Sequence, residues 1–375
     1  GFRLFRRIVL PLAMPGYVAG ASLVFVKVLD DLATPLLLSV KDMLAPQAYL
    51  RVTSIGITDP MGYVISVVLV VMSVLCMWLS ARAMAGKDYN TEQRGGGGLA
   101  KRQMKPHEKW IAYGAVLLIL MLVLAPHVSL LLLSFATIWS FSPLPDAYTT
   151  AHYARVFSES FGYIKNTLIY ASLAGLIDIV IGGTIAYLVL RTKLIGRTWL
   201  DWAASAALAI PGVVLGIGFL RAFYDVQLPG GRPLATMWIM IVLALAVRRL
   251  AYALRACYAS LQQISISLEE SAENLGATKL RSARKILLPL MAGGILAGFI
   301  TSFSTAAVEL SATLMLVQSS DDAPLVYGLY VFMQSAAGRG PGAALGVIAV
   351  LLVAACTYLS HLVIEKTQSA KGAIQ

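Results

Sequence analysis

The candidate ionisable residues inside otherwise apolar stretches of this chain are Lys27, Asp30, Asp31, Asp178 and Glu309. A charge in hydrocarbon is costly, so such residues mark a solute pathway or an internal pair. Asp30, Asp31 and Glu309 could line a path for a cationic or metal-bearing solute. Alternatively, they could sit at the outer water interface or pair with Lys27. Asp178 is better suited to an interhelical polar partner than to a ligand. No other chemistry is spelled out. The sequence has no His-Glu-x-x-His, no Gly-x-Ser-x-Gly and no paired-Asp motif in an apolar run, which argues against an enzyme and leaves no catalytic residue to name. Cys76, Cys257 and Cys356 are scattered, as are four histidines, so neither a disulfide framework nor a metal site is expected.

The elements that must position these residues follow from composition. The chain is 58% hydrophobic and 13% charged, with a mean hydropathy of +0.76. Soluble domains carry about 25% charged residues, so this surface faces lipid. Apolar runs reach the ~20 residues that span a ~30 Å hydrocarbon core. About eight spans are expected, near 12–38, 61–81, 110–135, 164–190, 199–222, 234–256, 290–317 and 341–364. The fold class is therefore an all-α polytopic membrane protein. The net charge of +11 concentrates in loops near 82–109, 191–197, 248–285 and 365–375, the pattern of cytoplasmic loops. No basic face with aromatic platforms is present, so nucleic acid is not an expected partner.

An internal repeat organises the spans. Arg6-Arg7-Ile8-Val9-Leu10-Pro11-Leu12 matches Arg284-Lys285-Ile286-Leu287-Leu288-Pro289-Leu290, and the match continues without gaps. Gly16 falls on Gly294, Gly20 on Gly298, Phe25 on Phe303 and Asp31 on Glu309. Two parallel units on one chain are a known transporter plan. The expected division is 1–86 as the last two spans of a first unit, 87–108 as a polar linker containing Gly95 to Gly98, and 109–375 as a complete six-span unit. The first unit would then lack about four N-terminal spans.

Before the second repeat lies Leu268-Glu269-Glu270-Ser271-Ala272-Glu273-Asn274-Leu275-Gly276, which reads as a short helix stopped at glycine. Glu270-Ser271-Ala272, then Gly276, then Ile286-Leu287-Leu288-Pro289 resembles the EAA loop of ABC importer permeases, here at 269–289. Ser271 replaces the usual alanine. The first repeat keeps only Ile8, Leu10 and Pro11 of this pattern.

The resemblance implies that the last six spans form one permease unit of the MetI-like type in a cell inner membrane, multi-pass. In that family Glu270, Ser271, Ala272, Gly276, Ile286, Leu288 and Pro289 would belong to a loop that docks on a separate homodimeric ABC ATP-binding subunit. Gly-x-x-x-x-Gly-Lys-Ser/Thr is absent from this sequence, so ATP would be used by that partner and no cofactor is expected on this chain. A periplasmic or extracellular solute-binding protein would deliver the solute. The fused two-unit form, with Leu29 to Pro35 and Ala209 to Gly216, is most similar to ferric-iron permeases. Thiamine, 2-aminoethylphosphonate and polyamine importers are alternatives within the class. An ion-coupled secondary transporter is the alternative outside it.

Overall fold

The computed structural model describes residues 2–84, 105–139 and 142–372. In hydrocarbon a backbone must satisfy its own hydrogen bonds, and apolar runs of this length do so as helices. Among the described residues the only β-pairing is two isolated bridges, Ala136 with Tyr148 and Gln227 with Pro233. The first part comprises α1 (Phe2–Leu4), a π-helical turn (Phe5–Val9), α2 (Leu10–Asp30), α3 (Ala33–Leu37), α4 (Leu44–Ser54) and α5 (Pro60–Met84). Next come α6 (Pro106–Phe135), α7 (Ala151–Glu159), α8 (Phe161–Arg191), α9 (Arg197–Ala206), α10 (Gly212–Tyr224) and α11 (Trp238–Gln262). The chain continues with α12 (Ile266–Asn274), α13 (Lys279–Ser282), a second π-helical turn (Ala283–Leu287) and α14 (Leu288–Ala307). It closes with α15 (Ser311–Leu316), α16 (Leu325–Met333) and α17 (Arg339–Gly372). The expected linker 87–108 falls mostly outside the described residues.

Among the described residues six helical stretches are long and apolar enough to cross a membrane: 5–30, 60–84, 106–135, 161–191, 279–307 and 339–365. The α9–α10 pair, with a 3-10 turn at Ala207–Ala209, makes a seventh but bends by 110°. At 25 residues α11 is also long enough to cross, about 37 Å at 1.5 Å per residue, although it carries Arg248, Arg249 and Arg255.

Four expected boundaries need correction. The span at 12–38 stops at Asp30 and restarts as α3, and the span at 290–317 stops at Ala307 and restarts as α15. The stretch 199–222 breaks at Ile210-Pro211. The basic loop drawn from residue 248 begins only after Gln262, because Arg248 and Arg249 are buried within α11. Local charge reads as loop; here carboxylates from distant elements neutralise it.

The internal repeat is structural as well as sequential. The two π-helical turns, the starts of α2 and α14, and the starts of α3 and α15 are each 278 positions apart. Pro11 and Pro289 are the second residues of α2 and α14, directly after the π-helical turns.

Helix α11 lies at the centre, packed on α8 and α14. Their contact uses small residues, which let membrane helices approach closely. A Cβ on Gly182 would lie 2.8 Å from the backbone of Leu254, and one on Gly294 would lie 2.4 Å from Ser260 Cβ. A second core joins the first part to the rest. Leu32, Leu36, Ala48 and Val52 pack there with Val213, Ile217, Leu314 and Met315, side chains contributed largely by the broken helices.

Candidate functional site

Arg248 sits ten residues into α11, about 15 Å from its start and so deep within that helix. Its guanidinium meets all three breaks in the membrane helices. Nη2 pairs with Asp30 Oδ2 at the end of α2. Nη1 donates to the Ile210 carbonyl, in the bend between α9 and α10, at 3.1 Å. Nε lies 3.4 Å from Glu309 Oε2, in the gap between α14 and α15. The next residue, Arg249, donates from Nη2 to Glu309 Oε2 at 2.9 Å.

Backbone groups complete the arrangement. The Gly212 N–H, first of α10, donates to Asp30 Oδ1, so the carboxylate meets the positive end of a helix. The Ala312 N–H donates to Glu309 Oε1 at 2.9 Å, and Ser311 Oγ donates to the Asp30 carbonyl at 2.9 Å. Gly212 is required by space: a Cβ there would lie 2.6 Å from Arg248 Nη1 and 2.8 Å from Glu309 Oε1. All four charged residues are buried. Two cations face two anions, the balance a low-dielectric site demands, since a single buried charge would cost several kcal/mol.

Of the candidate pathway residues, Asp30 and Glu309 thus enter one cluster. Asp31 does not; its Oδ1 accepts the Thr34 N–H at 3.2 Å. All three nevertheless line one cleft of about 650 Å³, with Lys27, Arg249 and Tyr252. Asp178 lies apart, accepting a hydrogen bond from Ser302 Oγ across the α8–α14 contact. Among the described residues no three His, Cys, Asp or Glu side chains converge as a metal site.

The second candidate is the loop on the basic side. Ser265 caps α12 by accepting the Ser267 N–H at 3.3 Å. Glu269 turns back to Arg191 at the end of α8, Oε1 to Nε 2.5 Å. Arg191 Nη2 also donates to the carbonyls of Ile264 (2.6 Å) and Leu261 (3.2 Å), so one arginine ties the loop to α8 and α11. Gly276 ends α12 with φ +85°, a left-handed conformation that side chains resist. Two bonds close a Schellman turn: Gly276 N–H to Glu273 O and Ala277 N–H to Ala272 O, both 2.9 Å.

Ala272 is buried, while Glu270, Ser271 and Gly276 are exposed. Ile286 is half-buried, and Leu288 and Pro289 are exposed. Leu287, between them, anchors the second segment beside Leu254, Leu261 and Met291. The outer surface of the loop is apolar at Leu275 (89% exposed) and Leu280 (79%). In the first repeat Ile8, Leu10 and Pro11 are likewise exposed.

Residues 178–369 match the family described as the binding-protein-dependent transport system inner membrane component. The chain belongs to this permease family. It is therefore a multi-pass protein of the inner membrane, and the family is one of transport. The permease is 26% identical over 341 residues to the ferric transport system permease protein FbpB of Actinobacillus pleuropneumoniae, covering 87% of this chain and 47% of that protein. It is 30% identical over 191 residues to the molybdenum transport system permease protein ModB of Escherichia coli K12, covering 48% of this chain and 83% of that one. The permease spans about half the length of the FbpB-type relatives it matches. Its fold is similar to that of a bacterial ABC transporter involved in import of the acidic polysaccharide alginate. That likeness has TM-score 0.52 and 17% identity, covering 68% of this chain and 96% of that chain.

Sequence reasoning missed Arg248, Arg249, Gly212 and the Arg191–Glu269 strap. An Arg-Arg pair inside the apolar run from Trp238 to Leu254 was the available signal. The pair reads locally both as part of the expected span 234–256 and as the start of a basic loop, because its acidic partners lie 218 and 60 positions away.

Proposed function

We propose that the permease is the transmembrane subunit of an ATP-driven importer, and that its solute is ferric iron. The observation that carries the first part is the loop from Ser265 to Pro289. It is held rigidly from behind by Arg191, turned by Gly276, and presents Leu275 and Leu280 outward. Such a surface suits docking on an ATP-binding subunit, which would supply the hydrolysis. A solute-binding protein on the opposite side would supply affinity. Iron is supported by the FbpB-type relatives, whose similarity runs through most of the chain. The ModB relative, matched over about half of it, favours an oxyanion as second reading.

In this reading residues 1–86 belong to one permease unit and 109–375 to another, joined through 87–108, and relative movement of the two units gives alternating access. The deciding experiment reconstitutes the full-length gene product with its ATP-binding subunit and binding protein in liposomes. ATP-dependent uptake of ferric iron supports the reading. Uptake of molybdate or sulfate instead would move the substrate to oxyanions. Uptake driven by an ion gradient without ATP would place the protein among secondary transporters.

A further inference from the structure

Three helix breaks meet at one guanidinium, and they belong to different parts of the molecule. The α2–α3 break lies in the first repeat, the α14–α15 break in the second, and the α9–α10 bend between them. The pseudo-symmetry of the repeats does not explain this. Asp31 and Glu309 are the equivalent pair, yet the first-repeat carboxylate that reaches Arg248 is Asp30, whose counterpart is the exposed Val308. The contact is an addition to the repeat plan, made at a place where burying charge is expensive.

We propose that Arg248 is a conformational switch: it locks the three helix breaks together in this state, and solute passes only when the guanidinium exchanges one of its carboxylates. The chemistry of arginine fits such a role. Its charge is permanent, and its planar fork can serve two carboxylates and a carbonyl at once. Release of Asp30 would leave Arg248 still beside Glu309, and Asp30 still bonded to the Gly212 N–H, so neither charge is stranded. The exchange opens onto the cleft lined by Lys27, Asp31 and Tyr252. Broken helices whose segments meet at buried polar groups near the bilayer midplane are also where transporters move.

The role in solute movement rests on the importer reading; the locking itself does not, and a labelling experiment separates them. Thr305 is half-buried in the cleft wall. In membranes holding the full-length protein, Thr305→Cys is titrated with a membrane-impermeant thiol reagent, above the background of the native cysteines. Arg248→Lys and Asp30→Asn are each expected to raise its labelling rate about tenfold, the scale of a 1–3 kcal/mol coupling. Arg255→Lys, an arginine of the same helix paired with Asp201 at 3.1 Å, is expected to leave it unchanged. In liposomes with the ATP-binding subunit and the solute-binding protein, the first two variants should hydrolyse ATP but take up about tenfold less solute per ATP. The switch is overturned if both variants label within twofold of the parent, or if both fail to reach the membrane folded, which would make the cluster purely structural. If the parent itself shows no ATP-driven uptake while labelling still responds, the importer reading fails and the lock stands.

Discussion

Asp31 and Glu309, 278 positions apart in the repeat, make the same backbone contact: each carboxylate accepts the N–H three residues on, from Thr34 at 3.2 Å and Ala312 at 2.9 Å. Each thereby caps the short helix that resumes after a break. Only Glu309 also faces Arg248 and Arg249. Equivalent positions therefore carry unequal burdens.

That inequality is measurable. Asp31→Ala removes a helix cap and should cost about 1 kcal/mol. Glu309→Ala leaves two buried guanidinium groups sharing one carboxylate and should cost about 3–5 kcal/mol. Thermal unfolding in detergent should rank Glu309→Ala well below Asp31→Ala, with Asp31→Asn close to the parent.

The glycines of the repeat give a second contrast. A Cβ at Gly294 would strike Ser260, and one at Gly298 would lie 3.0 Å from Ala256, whereas nothing lies within 4 Å of the same positions at Gly16 and Gly20. Gly294→Ala should destabilise this 375-residue chain by about 1–3 kcal/mol through overpacking. Gly16→Ala, at an open position inside α2, should instead stabilise the chain by about 0.5–1 kcal/mol, because glycine is a poor helix former. The same unfolding assay decides.

Most of this plan was legible in the sequence, and for stated reasons. Long apolar runs can only be helices in lipid, and basic-basic-Ile-x-Leu-Pro recurring with two glycines located both repeat copies to the residue. Gly276 as a helix stop was legible because few residues accept φ +85°. The breaks at 31–32 and 308–310 were not, since an apolar residue reads alike in a continuous helix and a broken one. Nor was the Arg248 cluster. Its four charges come from three distant segments, and pairing across a fold leaves no local pattern.

The strap beneath the loop predicts a change in dynamics. Arg191→Ala removes the partner of Glu269 and the donor to Leu261 and Ile264. Residues 263–278 should then exchange amide hydrogens at least about tenfold faster, as local opening becomes about 1.4 kcal/mol easier. Exchange in α8 and α14 should be unaltered. Unchanged protection of the loop would mean that its own capping suffices.

A third contact predicts cost without loss of architecture. Ser302→Ala removes the hydroxyl that Asp178 accepts from and strands a buried carboxylate, at about 1–3 kcal/mol. Replacing both, Asp178→Ala with Ser302→Ala, should restore part of that loss. A double-mutant cycle by thermal unfolding reads the difference.

If the Ser265–Pro289 loop couples this permease to an ATP-binding subunit, altering its glycine turn must break that coupling. The most direct test is co-purification of the full-length gene product with that subunit, comparing the parent with Gly276→Pro, a residue that cannot adopt the φ of +85° found there. The expected result is a stable parent complex with solute-stimulated ATP hydrolysis, and loss of both in the variant while its membrane helices still fold. A variant complex as stable and as active as the parent's would contradict it.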